Sequence, residues 1–303
     1  MTDQPISFDA IMPPGMAAKA EDIGVKKAAL PALNMFFLAI LAGAFIAIGA
    51  IFATTVSAGS MAVKDAAGAA AFSTGFPYGV TRLLAGLVFT VGLILVVVGG
   101  SELFTGNNLI VMAFADKKVT LGALLRNWAI VYLGNLAGAL GTVVLIVVAG
   151  QYLFGGGEVG KTALDIGAAK VGYDFGQAFT LGVLCNALVC LAVWLTYMAR
   201  STTDKVLVIV PPIAAFVAMG FEHSVANMYF IPVAMLIRAV APETFWSSIG
   251  AAPDEYSMLD LGGLMGNLVP VTLGNIVGGT ILVGAVYWLV YLRPRAEPTR
   301  PSS

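Results

Sequence analysis

Charged side chains are scarce in this chain: Asp, Glu, Lys and Arg make up 11% of 303 residues, against 59% hydrophobic residues. A soluble domain carries about 25% charge, so that class is excluded and an integral membrane protein is indicated. Basic residues are not in excess either, with 16 Lys and Arg against 17 Asp and Glu, which removes nucleic acid as a partner. There is one histidine and there are two cysteines. Cys185 and Cys190 lie in one apolar run and read as buried, reduced thiols, so neither a disulfide nor a metal centre is expected. Polar sequence is too short for an extramembrane catalytic domain once about six spans of roughly 20 residues are placed. The first thirty residues carry Asp3, Asp9, Glu21 and Asp22 and lack the apolar core of a signal peptide, so the first span is expected to direct insertion.

What remains is apolar sequence broken twice by polar clusters. The second break, Gly220-Phe221-Glu222-His223-Ser224-Val225-Ala226-Asn227, holds the single histidine. The first, Gly100-Ser101-Glu102-Leu103-Phe104-Thr105-Gly106-Asn107, matches it at an offset of 120 through Gly100/Gly220, Glu102/Glu222 and Asn107/Asn227. A second series recurs at an offset of 140: Asn127, Leu133, Gly134, Asn135 and Gly138 return as Asn267, Leu273, Gly274, Asn275 and Gly278. Two such registers make chance recurrence of Gly and Asn the weaker reading and divide the chain into two copies of a three-span unit. An odd number of spans per copy turns one copy upside down relative to the other. The expected fold class is therefore an all-α membrane protein, with six transmembrane helices in two inverted three-helix repeats whose second and fifth helices are broken.

The expected organisation is a cytoplasmic N-terminal segment over 1–30, a six-span domain over 31–293, and a basic cytoplasmic tail over 294–303. The repeats fall at about 31–152 and 177–292, and residues 153–176 read as a Gly-rich external loop. With the N-terminus in the cytoplasm, Lys19, Lys26, Lys27, Lys117, Lys118, Arg126, Arg200, Lys205, Arg293, Arg295 and Arg300 lie inside. Lys64, Arg82, Lys161, Lys170 and Arg238 lie outside, a bias that supports both termini inside.

Non-helical backbone at bilayer depth survives only where protein buries it or a cavity is lined by it, so the two breaks are expected to meet beside a solute route. Glu102 and Glu222 read as scaffold, their carboxylates accepting backbone N–H groups, with Glu222 as a proton carrier the rival reading. His223 is the candidate pore residue, because a titratable ring inside a membrane is functional by default; a core histidine held by Asn186 or Ser224 is the alternative. Thr105 places a hydroxyl opposite it. Phe89, Leu93, Phe104 and Phe216 flank the breaks and, where not simply core, form collars that penalise a bare ion more than a neutral acid. Lys170 reads as an external cation able to attract anions. Gly134xxxGly138 and Gly274xxxGly278 read as close helix contacts.

Gly220 to Met228, the Leu103-Phe104-Thr105 break and the run Asn267-Leu268-Val269-Pro270-Val271-Thr272-Leu273-Gly274-Asn275-Ile276 resemble the signatures of the formate/nitrite transporter family, over about residues 8–293. The resemblance implies an aquaporin-like protomer, a pentamer with one pore per subunit, and a bacterial inner-membrane location. It implies that His223 and Thr105 are the central polar pair, that Asn186 orients the histidine, and that Asn275 is a further pore-associated asparagine. Leu93 and Phe104 would form the cytoplasmic constriction, Phe89 and Phe216 the periplasmic one, and Lys170 and Lys27 would draw in anions. Gly106-Asn107-Asn108 departs from the Ser/Thr-type residues of formate channels at that place. The expected function is passive, proton-coupled passage of small monovalent anions of weak acids, formate first and nitrite second, without a cofactor. A hydrosulfide, short-carboxylate or neutral-solute channel is the alternative. An enzyme is not expected, since no nucleophile, metal cluster or cofactor fingerprint stands beside Glu222 and His223. The residues leave open whether His223 or water supplies the proton.

Overall fold

The computed structural model describes residues 9–59, 62–64, 70–73 and 76–293. Residues 1–8 of the expected N-terminal segment and the expected tail over 294–303 lie outside the described residues. The described chain is helical apart from one short antiparallel hairpin, β1 (Ala62–Lys64) with β2 (Ala70–Ser73).

Helix α1 (Pro13–Ala28) precedes the long apolar helices α2 (Ala32–Ser57) and α3 (Tyr78–Gly99). After the first break a 3₁₀ turn (Gly106–Ile110) leads into α4 (Val111–Ala115), and α5 (Leu121–Val148) completes the first half. The second half contains α6 (Glu158–Val171), α7 (Phe175–Met198), α8 (Thr202–Ala218), α9 (Ser224–Val240) beyond the second break, the short α10 (Glu243–Ile249), and α11 (Leu261–Val277). A π-helical stretch (Gly278–Ala285) continues α11 into α12 (Val286–Tyr291). Among the described residues, five helical stretches are long and apolar enough to cross a bilayer. At 17 residues, α8 is at the lower limit for doing so alone.

Side chains start these helices where the sequence supplies an acceptor. Asp174 and Gln177 form a capping box on α7, Ser201 and Asp204 another on α8, and Asp260 caps α11 through the Gly263 amide. Both breaks begin the same way. Gly100 and Gly220 each adopt φ 76°, and the next amide returns to the helix behind: Ser101 to the Val96 carbonyl at 2.9 Å, Phe221 to Phe216 at 3.0 Å. This left-handed turn satisfies carbonyls that a helix end would otherwise orphan, and a side chain there would be strained.

The expected loop over 153–176 is mostly α6. The Gly155-Gly156-Gly157 run, with positive φ at each residue, makes only the turn ahead of it, while Val159, Ala163 and Leu164 are buried under α6. Lys170 is thus a helical residue near the end of α6 rather than a loop cation.

Glycines set the distance between the long helices. A Cβ on Gly138 of α5 would run into the Ile40 carbonyl of α2, and one on Gly278 into the Val183 carbonyl of α7. Backbone, unlike a flexible side-chain end, cannot yield. Gly138→Ala and Gly278→Ala are therefore each expected to cost at least the ~1–3 kcal/mol of core overpacking, read as a lowered midpoint of heat-induced aggregation in detergent. A midpoint equal to that of the unmodified protein would show that the helices can part without loss.

Candidate site at the paired helix breaks

Among the described residues one side-chain hydrogen bond joins the two breaks: Thr105 Oγ1 lies 2.9 Å from His223 Nε2. His223 is also the N-cap of α9, its Nδ1 accepting the Ala226 N–H at 3.1 Å. A backbone amide can only donate, so Nδ1 carries the lone pair and Nε2 carries the proton. The ring is therefore a neutral donor aimed at the Thr105 hydroxyl. Among the described residues no hydrogen bond joins Asn186 to the ring. The Asn186 amide instead donates to the Thr105 carbonyl at 3.3 Å, Asn108 Oδ1 at 2.7 Å and the Asn275 carbonyl at 2.7 Å, bracing the backbone behind the threonine.

Each break is held by the same polar cage. Glu102 takes the Lys27 ammonium on Oε1 at 2.7 Å and the Asn107 amide on Oε2 at 2.7 Å. Glu222 takes Lys170 at 2.7 Å and Asn227 at 2.6 Å in the same arrangement. Asn107 also donates to Asn127, which donates to the Lys27 carbonyl. Asn227 donates to Asn267, which donates to the Lys170 carbonyl and to Glu222. Asn135 bridges the Ala39 and Glu102 carbonyls and accepts the Phe104 amide. Asn275 bridges the Gly182 and Glu222 carbonyls and accepts the Ser224 amide. Every one of these asparagines is buried. The expectation that the carboxylates accept backbone N–H groups is corrected: lysine and asparagine side chains supply the donors, and a buried charge needs that pairing.

Sequence reasoning missed that α1 stands in the first half where α6 stands in the second. A signal was present: Asp22-Ile23-Gly24 with Lys27 recurs at an offset of 143 as Asp165-Ile166-Gly167 with Lys170. The hydrogen-bonded unit therefore takes in α1, and a boundary at residue 30 cuts through it.

Two cavities approach the contact. One, of about 140 Å³, is lined by Arg82, Phe89, Lys170, Phe216, Glu222 and His223 among others. The other, of about 330 Å³, is lined by Lys27, Leu93, Ser101, Glu102, Leu103 and Asn107 among others. Between them lies a void of about 10 Å³, walled by Phe89, Leu93, Leu103, Phe216, His223 and three aliphatic side chains. Phe89 meets Phe216 edge-on, ring centres 5.7 Å apart, and Phe216 lies 5.9 Å from the imidazole.

Of the residues singled out from sequence, Leu93, Phe89, Phe216, His223, Glu222, Lys170 and Lys27 border these spaces. Thr105, Asn186 and Asn275 stand behind the wall, fully buried. Phe104 does too, its ring edge-on to Tyr132 at 5.0 Å and Trp128 at 6.1 Å, and the neighbouring Leu103 takes the wall position. Neither lysine is a free cation: Lys27 and Lys170 each hold a glutamate, and Lys170 also lies 5.3 Å over the Phe230 ring. Among the described residues, the cation without a carboxylate at the smaller cavity is Arg82, whose guanidinium donates to the Val217 and Ala218 carbonyls at the end of α8. That is a favourable place for positive charge, and among the described residues it leaves further N–H groups without an acceptor.

A sequence model described as formate/nitrite transporter matches residues 14–289. The chain is 44% identical to the formate channel FocA of Escherichia coli K12, over 94% of this chain and 96% of that one. It is 40% identical to FocA of Haemophilus influenzae, over 93% and 95%. Among solved structures, a pentameric formate channel with formate bound is similar at 47% identity and a TM-score of 0.79, covering 86% of this chain and 98% of that one.

Proposed function

The chain belongs to the formate/nitrite transporter family, and from that premise we propose that it is a passive channel for formate, which crosses the narrowest point as the neutral acid. One observation carries this reading: a void of about 10 Å³, walled by apolar side chains and the single imidazole ring, separates two cavities that each hold buried charge. A bare anion entering such a constriction loses its hydration with no fixed cation to replace it, whereas a protonated acid loses little. The His223 Nε2–H that rests on the Thr105 hydroxyl turns to the passing acid as it arrives, while the Ala226 amide keeps the ring in place through Nδ1 and Asn186 braces the Thr105 carbonyl. Because Nδ1 is occupied by the Ala226 amide, the proton that neutralises the anion comes from water in the cavities. Nitrite, another small anion of a weak acid, follows the same route. Attraction at the smaller cavity is assigned to Arg82 with the Lys170–Glu222 pair, and at the larger one to its lysines.

The matching cages around Glu102 and Glu222 support six spans in two inverted copies, with α3 and α8 leading into the breaks. The excess of Lys and Arg on the Lys27 side supports a cytoplasmic position for that side in a bacterial inner membrane. The pentameric relative supports the same assembly here, with one route per chain.

Vesicles containing the purified protein and an internal pH dye provide the test. Formate added outside is expected to acidify the interior as it enters, to enter faster as external pH falls, and to do so equally when the membrane potential is clamped. Formate entry that charges the membrane and leaves internal pH unchanged would overturn the neutral-acid route.

A further inference from the structure

The larger cavity holds more positive charge than its carboxylate balances. Lys19 and Lys27 of α1 and Lys205 of α8 line it, with Glu102 as the single acidic residue of the wall. Lys27 is taken by Glu102. Lys19 donates to a neutral acceptor, the Tyr197 carbonyl at 3.0 Å, and among the described residues neither Lys19 nor Lys205 forms an ion pair. Asp204 beside Lys205 is engaged elsewhere, accepting the Arg200 and Ser201 amides as the cap of α8. Burial, and then the positive charges of Lys205 and Arg200, hold the Lys19 ammonium below the usual lysine range, so these cations lie close enough to repel one another. Like charges facing one cavity without a counter-ion are unfavourable, and a volume of about 330 Å³ is in the range of small-ligand sites.

We propose that this cavity binds one small divalent tetrahedral oxyanion, of the inorganic sulfate or phosphate kind, between Lys19 and Lys205, and that the bound ion blocks formate from that side. Two unpaired ammonium groups match two negative charges. The ion does not pass, because the proton that neutralises formate leaves a divalent oxyanion charged, and the apolar void beyond Leu93 and Leu103 does not admit that charge. Binding is independent of the channel reading, whereas the block rests on it.

Calorimetric titration of the purified full-length protein with sodium sulfate at constant ionic strength tests binding, with sodium chloride as the monovalent comparison. Saturable binding of about one sulfate per chain is expected. The affinity should fall about tenfold in Lys205→Gln, which keeps the Lys19 bond to Tyr197 and so keeps α1 in place, and binding should vanish in Lys19→Gln/Lys205→Gln. Non-saturable heat, or equal affinity in the double variant, overturns the proposal. In vesicles, sulfate on both faces should slow formate flux several-fold relative to chloride, and less so in Lys205→Gln measured against its own chloride control. Sulfate that binds yet leaves flux unchanged overturns the block. Absence of formate flux in every preparation would instead count against the channel reading, with calorimetry still deciding the oxyanion site.

Discussion

Formate uptake into vesicles is expected to fall by roughly 10–100-fold in His223→Phe, the equivalent of losing a hydrogen bond of ~1.5–3 kcal/mol at the narrowest point. The phenyl ring removes the one polar side chain in the wall of the void and leaves the Thr105 hydroxyl without its partner. It also removes the cap on the Ala226 amide, so a loss of flux could arise from a frayed α9. His223→Asn separates the two causes, because asparagine is among the strongest N-cap residues. That variant is expected to keep the melting behaviour of the unmodified protein while conducting less, its shorter amide standing back from the void. The slope of uptake against pH is the second readout. With Nδ1 used by the Ala226 amide, the ring does not supply the proton, so the variants should lower uptake at each pH while preserving its rise as pH falls. A slope abolished by His223→Asn would make the imidazole the proton donor and reverse that assignment.

Much of this arrangement was readable in advance because polar residues are costly inside a bilayer and therefore recur only where structure needs them. The 120-residue register found both glycine turns and both carboxylates, and the 140-residue register found Asn135 and Asn275, whose amides tie the breaks to their neighbours. What escaped notice had weaker local signals. Glycines before α6 suggest a loop across the whole segment, though they make only its entry turn, and its buried face, Val159, Gly160, Ala163, Leu164 and Gly167, is short and mostly small residues beside Lys161, Asp165 and Lys170. Phe104 is named as a wall residue from its place in the break and from the family resemblance, which pass over Leu103. In a non-helical stretch, however, neighbouring side chains point to different sides, and sequence does not reveal which side faces the cavity. Asn186 was assigned to the ring from resemblance, whereas three carbonyl-type acceptors around Thr105, Asn108 and Asn275 claim its amide. Pairing of Lys27 and Lys170 with the carboxylates required knowing that α1 and α6 fold back onto the breaks.

That pairing leads to an expected difference between the halves. Lys170→Met would leave the Glu222 carboxylate, 2% exposed, facing only the Asn227 and Asn267 amides. Removing one member of a buried pair costs ~3–5 kcal/mol because the remaining charge is uncompensated, and a marked drop in the detergent melting midpoint should follow. Lys27→Met should cost less, since the Lys27 and Glu102 side chains are 27% and 6% exposed, against 14% and 2% for Lys170 and Glu222, and water reaches the first pair more readily. The double variant Lys170→Met/Glu222→Gln should recover much of the loss: glutamine keeps an acceptor for Asn227 while removing the stranded charge. Each cage also binds its lysine's backbone carbonyl through Asn127 or Asn267, a bond that the methionine variants keep, so either single change removes the ion pair and leaves that anchor in place. The order of the melting midpoints tests the account. Were Lys27→Met as damaging as Lys170→Met, or the double variant no milder than Lys170→Met alone, the asparagine cage rather than the buried charge would be what holds the breaks together.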